Sequence, residues 1–286
     1  MKKRLLVLLS VLVILSAFTI TASADMGPKP SLDITVETPP ESLYYLDLLL
    51  PGAQDEHCSS SLDESKYDEI MFNTLKNYSS PDWHTACVQG SRGAPLWGDI
   101  KSDNNYFHYG YFGLPGVGNK YKIIMVFSDG TYVESGEFTR KIYQESITIK
   151  FSKETNSITL VKEQSKILMF IKQFLPTLAI TLIVEFLFLL IFKIPIKENL
   201  ILFFVVNFIT NIGLNLFLFT TNIKSGSLSS MIIFIPIEIA VLILEIISYA
   251  VLMKSRNKGI SIAYAVTANL VSAALSFLFL RIPGIL

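Results

Sequence analysis

The chain is poor in the residues from which most catalytic and metal sites are built. Its 286 residues hold three histidines, two cysteines and two tryptophans, and no aspartate follows Asp129. His57, His84 and His108 stand in neither a His-Glu-x-x-His nor a Gly-x-Ser-x-Gly signature, so zinc-protease and serine-hydrolase readings have no support. The missing late aspartates exclude intramembrane proteolysis by an aspartate pair. The glycine cluster at 113–118 lacks a following helix and a Lys-Ser/Thr ending, which excludes a phosphate loop. These absences argue for a non-enzymatic protein that calls for no cofactor.

An excess of charge of either sign is also missing, because 24 basic and 24 acidic residues cancel. That balance is a sum of unlike parts. Residues 1–24 carry three bases and no acid, residues 25–166 are acidic by seven, and residues 167–286 are basic by four. The acidic middle part excludes nucleic acid as a partner. Apolar residues are abundant instead, at 51% with a mean hydropathy of +0.47, too high for an ordinary soluble domain.

The first part reads as a secretory signal peptide. Lys2, Lys3 and Arg4 precede an apolar run at 5–20, and Ala22-Ser23-Ala24 supplies small residues before a cut at Asp25. An uncleaved anchor helix is the alternative. Residues 25–166 are then expected outside the cytoplasm.

That middle part reads as a β-sandwich-like α+β domain. Ser31-Leu-Asp-Ile-Thr-Val36 alternates apolar and polar residues, 42–50 is rich in Leu and Tyr before Pro51-Gly52, and Asp129-Gly130 marks a hairpin after 121–127. A second hairpin is expected around Glu154-Thr155-Asn156. Short strands at this spacing suggest an immunoglobulin-like or similar sandwich. Ser61-Leu-Asp-Glu64 reads as a capping box opening a helix over about 62–77, with Tyr67, Ile70, Met71 and Leu75 as its buried stripe.

Cys58 and Cys87 flank that helix. In an oxidising compartment they are expected to form a disulfide, worth roughly 3 kcal/mol by loop entropy. Zinc held by His57, Cys58, His84 and Cys87 is the alternative, although the paired spacings of such sites are missing. Between Trp97 and Tyr121 lie Tyr106, Phe107, His108, Tyr109, Tyr111 and Phe112. This density suits either a sandwich core or a surface on which a sugar or peptide stacks.

Beyond Lys166 four apolar runs follow, at about 174–192, 199–219, 231–253 and 260–280. Each is long enough to cross a core of about 30 Å at about 1.5 Å per residue, and short links between them predict an all-α four-helix transmembrane bundle in the lipid bilayer. With the β-rich domain outside, Lys193, Lys197, Lys254, Arg256 and Lys258 fall inside, and Lys224 falls outside. This obeys the positive-inside rule and leaves the C-terminus outside. The expected location is the cell membrane, with multiple passes.

Polar residues within these runs form a pattern. Asn207, Asn211 and Asn215 recur every four residues, Glu238, Glu245 and Tyr249 share a face of the third run, and Glu185 and Asn269 lie in the first and fourth. At about 1.5 Å per residue, Glu185, Asn207, Glu245 and Asn269 reach one depth. Lacking a basic residue there, the carboxyls must be protonated, hydrogen-bonded to the asparagines, or neutralised by a cation. Interhelical hydrogen bonding, a cation or proton path, and contact with a partner membrane protein are the three readings.

The chain resembles a family of Gram-positive bacterial envelope proteins. The resemblance lies in Ala24-Asp-Met-Gly-Pro-Lys-Pro-Ser31, the Asp47-containing strand, the Glu185 span, Asn207-x-x-Thr-Asn211-x-x-x-Asn215, and Glu238 with Glu245-x-x-x-Tyr249. It implies the same architecture and no particular activity. The leading functional expectation is a membrane-anchored extracellular protein that binds a ligand or an envelope partner. The alternative is a small cation- or proton-coupled transporter or channel using the intramembrane Glu and Asn residues.

Overall fold

The computed structural model describes residues 29–53, 60, 62–91, 96–112 and 119–280. The expected signal peptide, His57, Cys58, the 113–118 glycines and Arg281 lie outside the described residues. The chain divides into two compact units, one running to Ser165 and including Ile223–Gly226, the other formed by Lys166–Asn222 and the chain from Ser227 onward.

The first unit is β-rich. Its strands are β1 (Ser31–Thr38), β2 (Tyr44–Pro51), β3 (Trp83–Thr85), β4 (Tyr106–Gly110), β5 (Lys120–Phe127), β6 (Tyr132–Glu134), β7 (Phe138–Thr139), β8 (Gln144–Ser152) and β9 (Ser157–Glu163). One sheet has the order β4-β1-β8-β9. The other runs β3-β2-β5-β6, with β7 also paired to β5. The period-two pattern of β1 places Leu32, Ile34 and Val36 in the core while Thr35 and Glu37 face out. Every residue of β2 from Tyr44 to Leu50 is buried, as suits a strand covered on both faces. Side chains of both sheets share one apolar cluster, in which Ile34 and Ile149 join Leu48 and Met125. Each such side chain contributes about 1.5–3 kcal/mol on burial.

Local turn chemistry sets the strand ends. Gly130 has φ +80°, its N–H donates to Phe127 O at 2.9 Å, and β5 and β6 pair antiparallel around it. Asn156, at φ +47°, turns β8 into β9. The pairing of β1 with β8 is parallel, so the sheets are not built from hairpins alone.

The expected helix over 62–77 is shorter and starts later. A 3-10 turn occupies Glu64–Lys66 under an Asp63 cap, and α1 spans Glu69–Lys76. The Asp68 carboxylate caps α1 by accepting from Met71 N–H at 3.0 Å, and Ser61 lies outside the described residues. The buried stripe also differs from the expected one. Met71, Phe72 and Leu75 are buried, while Ile70 faces out.

The second unit is helical: α2 (Lys166–Ile191), α3 (Ile196–Leu252) and α4 (Lys258–Leu280). All three are long and apolar enough to cross a membrane. Helix α2 ends in a Schellman turn, with Lys193 N–H donating to Leu190 O and Ile194 N–H to Leu189 O. Lys193 takes the left-handed conformation (φ +51°), and Pro195 follows. The link expected at 220–230 is helical except at Gly226, where φ +82° and ψ 171° break the path. Hydrogen bonds between Asn199 and Lys254, 55 residues apart, require the two arms of α3 to lie side by side.

Candidate functional site

The helical unit hides polar groups and exposes apolar ones. Along α2 the buried positions are Gln173, Thr177, Thr181, Glu185 and Leu189, spaced by four, whereas Ile167, Ile183 and Ile191 face out. Helix α4 repeats this, burying Ser261, Tyr264, Asn269, Ser272 and Ser276. Spacing by four on α2, and by three and four on α4 once Ala265 and Ala268 are counted, puts each set on one helix face, and the faces meet.

Three groups of contacts follow along the unit. In one, Asn199 Nδ2 donates to Pro195 O and Lys254 O, and its Oδ1 accepts from Lys254 N–H, each at 2.8 Å. In another, Asn211 donates to Thr181 Oγ1 at 3.1 Å. Asn215 Oδ1 accepts from Gln173 and Thr177 there, and Asn215 Nδ2 donates to Asn211 Oδ1.

The third group holds the carboxyls. Glu245 Oε1 accepts from Thr210 Oγ1 and Oε2 from Asn269 Nδ2, both at 2.6 Å. Asn207 Nδ2 donates to Tyr249 Oη at 2.9 Å and to Phe203 O. Tyr264 Oη donates to Glu185 Oε2 at 3.4 Å, and the Asn207 side chain adjoins the same carboxyl. The Tyr249 and Tyr264 rings meet edge to face. Glu185, Asn207, Tyr249 and Tyr264 are fully buried. Two buried acceptor atoms in this group, Glu185 Oε1 and Asn207 Oδ1, have no hydrogen-bond partner.

The structure thus brings together Glu185, Asn207, Glu245, Tyr249 and Asn269, and places Asn211 in the neighbouring group. Glu238 borders the third group, sharing with Asn269 an apolar groove of about 270 Å³ lined also by Phe234, Leu242, Leu270 and Phe277. Sequence reasoning missed Tyr264 and the Gln173-Thr177-Thr181 row. Spacing by four with Glu185 is the signal that finds the row, and Tyr264 stands eight residues before Ser272 on the buried face of α4.

The β-rich unit contains a second buried carboxyl. Asp47 accepts from the N–H groups of Leu48 (2.7 Å), Cys87 (3.0 Å) and Val88 (3.2 Å). Burial pushes its carboxyl up to about 6 despite these donors. Burial and the neighbouring Asp47 likewise push the Cys87 thiol up. Cys87 is a buried free thiol, and no disulfide is seen among the described residues. His84 is buried, with Nδ1 2.8 Å from Gly52 O. No group of three or more His, Cys, Asp or Glu side chains suited to a metal occurs among the described residues.

The aromatic stretch divides between two roles. Phe107, Tyr109, Phe112 and Tyr121 are core, whereas Trp97 and Tyr106 face out. Tyr106 Oη and His108 Nδ1 both reach Asp33 Oδ1, at 2.6 and 2.7 Å. A cleft of about 550 Å³ lies where three connections converge. It is lined by Pro39, Pro40 and Glu41, by Phe127 and Asp129, and by Phe151 and Lys153. Its lining mixes the rings of Phe127 and Phe151 with the charged side chains of Glu41, Asp129 and Lys153. No protein-family model, curated protein or solved structure matches the chain.

Proposed function

We propose that the chain is a membrane-anchored protein that binds a ligand or partner outside the cytoplasm of a bacterial cell. In this reading the Gly226 break divides α3 into two crossings, giving a four-helix bundle in addition to a sandwich-like binding domain. The cleft between the β1–β2 link and the β5–β6 and β8–β9 turns carries the reading. Its aromatic floor, from Phe127 and Phe151 with rings 5.3 Å apart, suits a sugar ring or a peptide side chain. Glu41, Asp129 and Lys153 supply polar contacts at its edge. The test titrates soluble cell-wall glycan and peptide fragments into the full chain in lipid nanodiscs. Binding that is lost in a Glu41→Lys, Lys153→Glu double variant supports the cleft. No binding by any fragment sinks the reading.

A second reading, a small cation- or proton-coupled transporter, is favoured by the meeting of Glu185, Asn207, Glu245, Tyr249 and Asn269 in one buried group. Flux through reconstituted vesicles that survives the Glu185→Gln, Glu245→Gln double change rules it out.

A further inference from the structure

The two carboxyls of the helical core are unlike in their hydrogen bonding. Glu245 is served on both oxygens, by Thr210 Oγ1 and Asn269 Nδ2 at 2.6 Å each. Glu185 is served on one oxygen only, by Tyr264 at 3.4 Å. Its Oε1 is buried without a partner, and so is Oδ1 of the adjoining Asn207. Both orphans are acceptors, and both are fully enclosed.

Amide rotation does not resolve the deficit. Asn207 Nδ2 is committed to Phe203 O and Tyr249 Oη, so turning the amide to face Glu185 strands those two contacts. Two orphaned acceptors on adjoining side chains can be satisfied together by one hydrogen placed between them. A buried acceptor left unsatisfied costs about 1–3 kcal/mol, and more if charged. A carboxylic acid has one O–H donor, which a carboxylate lacks.

We infer that Glu185 binds a proton in the core of the helical unit and donates it through Oε1 to Asn207 Oδ1. One proton then satisfies both orphaned atoms and removes a charge that no neighbour offsets. The titratable groups facing Glu185 are Tyr264 of α4, with Glu245, Tyr249 and, farther off, Glu238 of α3. None of them is basic. The inference stands apart from both functional readings, since it requires neither a ligand in the cleft nor flux.

Infrared spectroscopy of the full chain in nanodiscs at neutral pH tests it. The wild type minus Glu185→Gln difference is expected to contain a protonated-carboxyl C=O band that shifts in deuterium oxide. Glu245→Gln should leave that band in place. Asn207→Leu should move it without removing it, because the acid keeps its proton and loses its acceptor, so the result does not hang on one variant. Loss of a carboxylate band, not an acid band, in Glu185→Gln overturns the inference. So does an acid band unmoved by Asn207→Leu, or one that vanishes when sodium replaces potassium, since a metal cation would then occupy the place of the proton.

Discussion

At the scale of single residues, Asp47 shows how the β-rich unit depends on one buried polar group. Its carboxyl gathers three backbone N–H groups, from Leu48 on β2 and from Cys87 and Val88 after β3. Asp47→Ala strands all three donors in the core and is expected to destabilise the unit by at least about 3 kcal/mol. Trp83 and Trp97, the chain's only tryptophans, both lie in this unit, so denaturant titration followed by tryptophan fluorescence reads the change directly. The same carboxyl makes stability depend on pH. Its value in the fold, about 6, is above the ordinary 3.8, so between those limits the folded state binds more protons than the unfolded one. The contribution is fully present below 3.8 and is lost as pH rises through 6, a fall of roughly 3 kcal/mol. Asp47→Asn is expected to flatten that part of the profile relative to the wild type. An unchanged slope in the variant would assign the pH dependence elsewhere.

At the scale of elements, chain ends and breaks are decided by a few backbone positions. The Schellman turn after α2 puts a lysine where glycine is preferred, because φ is +51° at Lys193. Lys193→Gly is therefore expected to stabilise the helical unit by about 0.5–1 kcal/mol, checked as a rise in the thermal transition in nanodiscs. Gly226 is the opposite case. With φ +82° and ψ 171°, and a Tyr143 ring atom 2.8 Å from where a Cβ would sit, the position admits only glycine. These two positions also show what the sequence made legible. Strand alternation in β1 and the Asp129-Gly130 turn were readable, because period and turn chemistry are local. The start of α1 was not, since Asp63, Asp68 and Ser61 are all good caps by residue type. The polar faces of the helices were legible from spacing by four, yet the partner of each group was not. Nothing local tells that Asn269 meets Glu245, or that Glu238 opens onto an apolar groove.

At the scale of the whole molecule, the distribution of polarity argues for the surroundings. A helical unit that buries Gln173, Glu185, Asn207, Asn215 and Asn269 while leaving Ile201 81% exposed reverses the order favoured in water. In hydrocarbon that order is the favourable one, because buried polar groups find partners only in each other and apolar side chains meet lipid at no cost. On the proposed four-crossing reading, the charges obey the positive-inside rule. Lys193, Lys197, Lys254, Arg256 and Lys258 cluster at two links, and Lys224 stands alone at the third. Ile223–Gly226 belongs with the β-rich unit, where Ile223 O accepts from Tyr143 N–H at 2.9 Å. On the proposed reading, this segment therefore lies outside together with the rest of the β-rich unit. The expectation is therefore that cysteine at position 224 reacts with a membrane-impermeant thiol reagent added to intact cells. Cysteine at 197 or 256 should react only after the membrane is opened, with the labelled residue located by mass spectrometry. Labelling of 197 or 256 in intact cells would refute four crossings with the β-rich unit outside, and would require that Gly226 does not separate two spans.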